Sequence, residues 1–288
     1  MGLDVASIKQ LRDRTGAGMS DCKKALEEAN GNIDAACDIL REKGIIKASK
    51  KGSRIAAEGT TLVTANGNKA IILEVNSETD FVGKSDAFKS FVAEVAETLL
   101  ANEPADLEAA KTLTAELFTN ATVKIGEKLD LRRFVIVTKT DDQTFGTYIH
   151  MGGKIGVLTV LNGVNAEVAQ GLSMHIAANR PLYVSTNDIP AEAIAHETAI
   201  QMEAAKTDEK LIGKPANVLE NIIKGKVSKY FADSVLLEQE YLLEPGAKVG
   251  NAMKSRNLSV ASFIRYETGE GLEKKTENFA EEVQKQMQ

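Results

Sequence analysis

The 288-residue sequence has little of what secreted, membrane-bound or nucleic-acid-coating proteins need. No apolar run approaches the ~18 residues of a membrane-spanning helix, and the opening "MGLDVASIKQ" lacks the apolar stretch of a secretory signal. Its 35 basic and 41 acidic side chains give a net charge of -6, which argues against a chain that coats nucleic acid or anionic membranes. We therefore expect a soluble, cytoplasmic protein with no large acidic ligand.

Cysteine is scarce as well, and its placement excludes several kinds of chemistry. Cys22 and Cys37 both fall on apolar faces of expected helices in one small segment, and neither has a histidine near it in sequence. That pattern is typical of reduced cysteines that act as small core residues, and not of a disulfide, a metal cluster or a catalytic thiol.

Sequence motifs for enzymatic chemistry are missing too. The stretch "GTYIHMGGK" does not have the spacing of a GxxxxGK[ST] phosphate-binding loop, and GxGxxG, GxSxG and HExxH motifs do not occur. His150, His175 and His196 lie on different expected elements and lack metal-site spacing. We expect no cofactor and no metal, and we expect His175, on an apolar helix face, to be a hydrogen-bonded structural residue.

The sequence does contain an internal repeat of strands and helices. "GNKAIILEV" (67–75) aligns with "GGKIGVLTV" (152–160), and each follows a hairpin partner and precedes an amphipathic helix. Each copy closes with a further strand, at 131–138 and at 259–267. The pattern predicts an α+β fold with a duplicated core.

Helical patterns flank and interrupt this repeat. Residues 4–44 predict three short helices, with Gly44 just past the last of them and a flexible, basic linker after it. In the second copy, alanine-rich 190–206 and the periodic apolar residues of 219–231 predict an inserted hairpin of two antiparallel helices. Residues 272–288 predict a charged C-terminal helix.

One connection places an aspartate beside a phenylalanine. The polar "NSET" ends the strand of the first copy and Ser85 begins the next helix, so Asp80, Phe81 and Val82 lie between them. From the residues alone, we expect Phe81 to tuck under its own helix, because an exposed phenylalanine forfeits the free energy of apolar burial.

Four stretches together resemble the bacterial translation elongation factor Ts family, the nucleotide exchange factors of elongation factor Tu. They are "RTGAGMSDCKKALEEANGNIDAA" (14–36), "EVNSETDFV" (74–82), "KIGEKLDLRR" (124–133) and "HMGGKIGVL" (150–158). The resemblance covers the entire chain, and a duplicated core with a helical hairpin inserted in its second half is also how that family is built. Residues 4–44 resemble its ubiquitin-associated-like domain.

The repeat and the resemblance together imply a division of the chain into five parts. These are a three-helix ubiquitin-associated-like domain with its basic linker (1–54), a first core subdomain (55–140), a second core subdomain (141–181 and 231–271), the inserted helical hairpin (182–230) and a C-terminal helical module (272–288).

The resemblance also implies what the connection after the first strand pair does. Thr79, Asp80, Phe81 and Val82 match the family's motif for dislocating the partner's magnesium ion. Phe81 is then an exposed wedge between helices of elongation factor Tu, and Asp80 competes for groups around the ion, without covalent chemistry. Other partner contacts that the resemblance implies are Arg12, Lys23, Ile125, Gly126, His150, Leu242 and Leu243.

Alternatives from other classes stay open at this stage. Asp80 and His150 would be an acid and base pair if a single pocket held both, and the first 44 residues would suit a scaffold for ubiquitin-like partners. The inserted hairpin would either dock a second copy of the chain or bury its apolar face within itself.

Overall fold

The chain folds as an α+β protein in two compact units. The structure, a computed structural model, describes residues 5–51 (backbone only from 45 on), 54–208, 211–212 and 214–273. The first unit comprises the described residues up to Val137, Ile149–Gly156 and those from Tyr266 on; the second comprises Thr138–Tyr148 and the described part of Val157–Arg265. The predicted C-terminal helix lies outside the described residues except for its first two positions.

The first unit begins with three helices that share a small core. They are α1 (Val5–Thr15), α2 (Met19–Glu28) and α3 (Ile33–Lys51). The Asn32 side chain caps α3 by accepting a hydrogen bond from the amide of Ala35 at 3.1 Å. Apolar residues at helical spacing fill the core, which includes Ile8, Leu11, Cys22, Leu26 and Leu40. Cys22 and Cys37 are both free thiols, as expected.

A three-stranded sheet and three further helices follow in the first unit. In chain order they are β1 (Glu58–Asn66), β2 (Lys69–Ser77), α4 (Asp80–Lys84), α5 (Asp86–Asn102), α6 (Leu107–Ile125) and β3 (Asp130–Thr138). The sheet order is β1-β2-β3, and the β1–β2 hairpin pairs Leu62 with Leu73. That face of the sheet meets Phe88 and Phe91 of α5 in the main core.

The predicted helix end at Gly44 is wrong. The third helix α3 continues through Gly44 to Lys51, so most of the expected flexible linker is helical. A Cβ atom on Gly44 would lie only 2.5 Å from Cγ2 of Val123 on α6. The glycine therefore allows close packing of α3 on α6 and does not terminate the helix.

The second sheet has the same strand order as the first. Its strands and the helices between them are, in chain order, β4 (Gln143–His150), β5 (Ile155–Asn162), α7 (Ala166–Asn179), α8 (Ala191–Thr207), α9 (Ala216–Ala232), α10 (Val249–Lys254) and β6 (Ser259–Glu267). The sheet order is β4-β5-β6. Two antiparallel sheets of three strands, each with a hairpin followed by a helix, agree with the α+β repeat in the sequence.

The segment inserted in the second unit is a pair of packed helices. The side chains between α8 and α9 form their own core, which includes Ala205, Ile223, Val227 and Phe231. Ile194, Ile200 and Met202 of α8 remain exposed. Among the described helices, none combines the length and the apolarity that crossing a bilayer requires.

A buried carboxylate lies at the centre of the first sheet. Glu74 of β2 is fully buried, on the face opposite α5. Its oxygens lie 2.9 Å from Nη1 of Arg132 and 2.7 Å from Nε of Arg133, and it accepts a hydrogen bond from the amide of Gly269 at 2.8 Å. The Arg133 guanidinium also lies 4.0 Å from the ring centroid of Tyr266. Residues 266–270 are therefore held against the sheet by one carboxylate.

We expect Glu74→Ala to destabilise the protein by about 3–5 kcal/mol, because it removes a fully buried carboxylate that two partly buried arginines and the Gly269 amide share. Glu103→Ala is the matched control: it removes an exposed carboxylate that pairs with Lys69, and such pairs contribute about 0–1 kcal/mol. Urea unfolding followed by circular dichroism measures both. Equal losses of unfolding free energy in the two variants would contradict the conclusion that the buried Glu74 contacts stabilise the fold.

Candidate functional site

The short helix α4 forms because polar caps close both of its ends. The Thr79 hydroxyl accepts a hydrogen bond from the amide of Val82 at 3.4 Å and so caps the first turn. Ser85 ends α4 and caps α5 by accepting a hydrogen bond from the amide of Phe88 at 3.3 Å. Two caps six residues apart separate α4 from α5, so residues 80–84 take a direction of their own.

Phe81 points into solvent. Its side chain is 83% exposed, whereas Val82 packs against the core and Gly83 is buried. The expectation from the residues alone, that Phe81 tucks under its own helix, is wrong. One turn of helix can turn only part of its surface to the core, and here Val82 and Gly83 occupy that part.

Asp80 is an ionised carboxylate with a partner on its own helix. Nζ of Lys84 lies 2.5 Å from Oδ2 of Asp80, one helical turn away. This hydrogen bond holds the pKa of Asp80 below its usual range, and the charge of Lys154 acts in the same direction. Asp80 therefore presents an acceptor-only group beside the exposed Phe81.

A second segment, His150–Lys154, packs on β1 next to α4. A Cβ on Gly83 of α4 would lie 2.8 Å from the carbonyl oxygen of Gly59, and a Cβ on Gly153 would lie 1.7 Å from Oγ1 of Thr60. Helix α4 and the His150–Lys154 segment thus pack against neighbouring residues of β1, and a glycine allows the close approach at each contact. Both contacts lie at the first residues of β1, and His150, at the start of its segment, is exposed, as is Phe81.

Met151 in this segment is a further exposed apolar residue, which the sequence pattern does not predict as part of the site. Its side chain is 71% exposed, and its backbone is left-handed with φ of 49°. That conformation is unfavourable for methionine and is held by hydrogen bonds from the hydroxyls of Thr61 and Thr268 to the carbonyl of Gly153, at 2.9 and 3.0 Å. In the sequence, the two glycines that follow Met151 were the signal of such a turn.

Ile125 and Gly126 end α6 on the same unit. Ile125 is half-buried and packs against the main core, so only part of it is open to a partner. Gly126 takes the left-handed conformation that terminates the helix, with φ of 88°, and its amide donates to the carbonyl of Thr122.

The remaining predicted contacts lie on other elements. Arg12 of α1 and Lys23 of α2 are exposed in the three-helix segment of the first unit. Leu242 and Leu243 lie in a loop of the second unit and are 50% and 52% exposed. Apolar side chains half open to solvent in a loop are suited to contact with another protein.

His175 supports that loop, which confirms it as a structural residue. It is fully buried on α7, and its Nδ1 accepts a hydrogen bond from the backbone amide of Leu242 at 3.2 Å. Because an amide can only donate, the ring proton is on Nε2, which donates to Oε1 of Gln239 at 2.9 Å. Burial lowers the pKa of His175 and keeps the ring neutral.

The chemistry that this arrangement allows is recognition. Asp80 offers a carboxylate, Phe81 and Met151 offer apolar area, and His150 offers an imidazole. Nowhere in the described residues do three or more His, Cys, Asp or Glu side chains meet in a way that would hold a metal ion.

The exposed motif belongs to a stretch that matches a known family. Residues 78–270, more than half of the chain, match the family model described as elongation factor TS. The chain belongs to the elongation factor Ts family. Proteins of this family are nucleotide exchange factors for elongation factor Tu in translation elongation. The match begins at Glu78, so it includes the Asp80–Phe81 helix, His150 and the Leu242–Leu243 loop.

We expect the buried His175 to make the protein less stable in mild acid. Its pKa is lowered on folding, so the unfolded chain binds the proton more readily, and stability is lost as the pH falls below about 6.5 towards the folded pKa. In His175→Gln this part of the pH dependence should be absent. Thermal unfolding between about pH 7.5 and 5 measures it, with exposed His196→Gln as the control. The same pH dependence in both variants would count against the burial argument.

Proposed function

We propose that this chain binds elongation factor Tu carrying GDP, disrupts its magnesium and phosphate site, and thereby promotes GDP release. The observation that carries the proposal is the pair of side chains on α4: an 83% exposed phenylalanine next to an ionised carboxylate. GTP entry then returns the partner to a form that releases the exchange factor. No covalent bond is made or broken.

Phe81 is the proposed wedge between helices of the partner's nucleotide-binding domain. Burying a phenylalanine side chain contributes about 1.5–3 kcal/mol. Since Phe81 gains this burial only where the partner has opened, the free energy favours the open form over the closed one. The caps at Thr79 and Ser85 keep Phe81 exposed in the free protein, so little is lost in preparing it.

Asp80 is the proposed competitor for the magnesium site. An ionised carboxylate can capture hydrogen-bond donors that hold the ion or its water shell, and the nucleotide phosphates lose their counter-charge when the ion leaves. The bond to Lys84 favours the ionised form. A catalytic acid or base works best with a pKa near the working pH, and the bond to Lys84 moves the pKa of Asp80 further from neutral pH, so the alternative in which Asp80 and His150 catalyse a reaction is not favoured.

Further contacts extend the proposed interface. Ile125, Gly126 and His150 accompany the wedge, and Arg12 and Lys23 of the ubiquitin-associated-like domain contact the nucleotide-binding domain of elongation factor Tu. Leu242 and Leu243 contact a more distant domain of that partner. The proposed boundaries of the domains are those given by the repeat and the family resemblance.

The proposal includes where the protein acts and what else it binds. Translation elongation places it in the cytoplasm, with GDP-bound and nucleotide-free elongation factor Tu as its partner and with no direct role for nucleic acid or membrane. The exposed Ile194, Ile200 and Met202 on α8 are the proposed contact for a second copy of the chain.

The wild-type chain should accelerate release of labelled GDP from elongation factor Tu, and Phe81→Ala should lower the rate about ten-fold or more, since ~1.4 kcal/mol equals one factor of ten. The melting temperature should hardly change, because Phe81 is exposed. Phe88→Ala is the control: Phe88 is fully buried, and its truncation costs about 3–5 kcal/mol. If wild-type protein leaves the release rate at its spontaneous value, the proposed function is wrong.

Asp80→Asn should lose part of the exchange that depends on magnesium. GDP dissociation from elongation factor Tu is measured with and without chelator for wild type, Asp80→Asn, Phe81→Ala and the double variant. With magnesium present Asp80→Asn should be slower than wild type, and with chelator the difference should shrink while the effect of Phe81→Ala remains. Should Asp80→Asn match wild type in both conditions, the carboxylate has no role in displacing the ion.

A further inference from the structure

A glutamate from a distant part of the first unit holds the N-terminal end of α4. Glu127 lies between α6 and β3 and is half-buried. Its Oε2 accepts a hydrogen bond from the backbone amide of Thr79 at 3.0 Å, and its Oε1 accepts one from the Thr79 hydroxyl at 2.6 Å. One carboxylate therefore takes both donors of the residue that caps α4.

The neighbouring residues make the reciprocal contact. Oε1 of Glu78 accepts a hydrogen bond from the backbone amide of Lys128 at 2.6 Å, and Nη1 of Arg54 lies 3.1 Å from Oε2 of Glu78. Each of the two short segments, 78–79 and 127–128, thus provides a glutamate that accepts a hydrogen bond from the backbone of the other. Leu129, the residue after Lys128, is buried in the main core. The Glu127 side chain is anchored on a fixed part of the fold.

The helix that depends on this contact cannot fix its own position. It has five residues, little more than one turn, and such a helix is unstable by itself because few hydrogen bonds offset the ordering of its backbone. The Thr79 hydroxyl both donates to Glu127 and accepts from the amide of Val82, and a hydroxyl that donates to a carboxylate is a better acceptor. The contact with Glu127 therefore strengthens the cap itself.

We propose that Glu127 is a positioning residue for exchange: by holding Thr79 at two atoms it orients α4 and so fixes the direction of Phe81, two residues further on. The role of Phe81 rests on the proposed function, whereas the orientation of α4 does not. The Glu127 side chain acts through Thr79 and needs no contact with the partner. This separates it from Ile125 and Gly126, which the family resemblance implies as contacts.

The first test uses the free protein and needs no partner. In Glu127→Ala, amide hydrogen exchange should speed up at Val82 and Gly83, whose N–H groups bond to Thr79, and should stay unchanged in β2. Asp130→Ala is the matched control, since Asp130 lies on the same stretch but pairs with Lys111 at 3.1 Å. Unchanged exchange at Val82 and Gly83, or loss of protection throughout the sheet, would overturn the inference.

The second test measures GDP release from elongation factor Tu over a concentration series. Glu127→Ala should lower the maximal rate about ten-fold, the order of effect of a hydrogen bond to a charged group, and Glu127→Gln should recover part of it. The concentration at half-maximal rate should change by less than about two-fold, because the other contacts remain. In a Phe81→Ala background, Glu127→Ala should have a smaller effect, because only the contribution of Asp80 then remains on α4.

The double variant distinguishes positioning from an independent role. If Glu127→Ala lowers the rate by the same factor with and without Phe81, Glu127 does not act through the wedge and the inference is wrong. If wild-type protein fails to accelerate GDP release, the proposed function is wrong instead, and hydrogen exchange at Val82 and Gly83 still decides whether Glu127 orients α4.

Discussion

The buried carboxylate of Glu74 constrains how the first unit folds. An ionised carboxylate without partners in a protein interior costs several kcal/mol, so the chain must bring donors to it. Arg132 and Arg133 come from β3, and the amide of Gly269 comes from the last described stretch of the chain. One charge thus ties three distant stretches together on one face of the sheet, while apolar packing against α5 covers the other face.

These contacts explain why the first unit can present α4, with an exposed phenylalanine, without losing its stability. Four residues separate Glu74 from Thr79, so α4 directly follows the strand that carries the buried carboxylate. Because the core obtains its stability from Phe88, Phe91 and the strand residues, Phe81 contributes little to folding and is free to point outwards. Glycines at 59, 83 and 153 then let α4 and the His150–Lys154 segment lie directly on β1.

Periodicity predicted the elements well and the site only in part. The strands at 131–138 and 259–267 follow from the repeat, and β2 and β5 follow from continuous apolar runs, because both are buried along nearly their whole length. The tendency of phenylalanine to be buried gave the wrong prediction at Phe81. Its direction is set by the two helix caps, Thr79 and Ser85, and not by its hydrophobicity. The rule that a glycine ends a helix failed at Gly44, because Gly44 instead makes room for Val123, which is distant in sequence. Glu127 lies in the quoted stretch 124–133, but its role gave no local signal, since its partner lies 48 residues away.

The pairing of Asp80 with Lys84 bears on how the proposed exchange divides its free energy. The pair is exposed and lies within one helical turn, and such pairs contribute little to stability. If Asp80 leaves Lys84 and binds donors around the partner's magnesium ion, the change therefore costs little free energy. It also adds little net affinity. Affinity for the open partner must then come from Phe81 and the other apolar contacts. In the proposed mechanism, Asp80 instead makes that binding conditional on the ion, because its new donors become available as magnesium leaves. Since coupling is reciprocal, GDP and magnesium must weaken the binding of the exchange factor by the factor with which it weakens theirs.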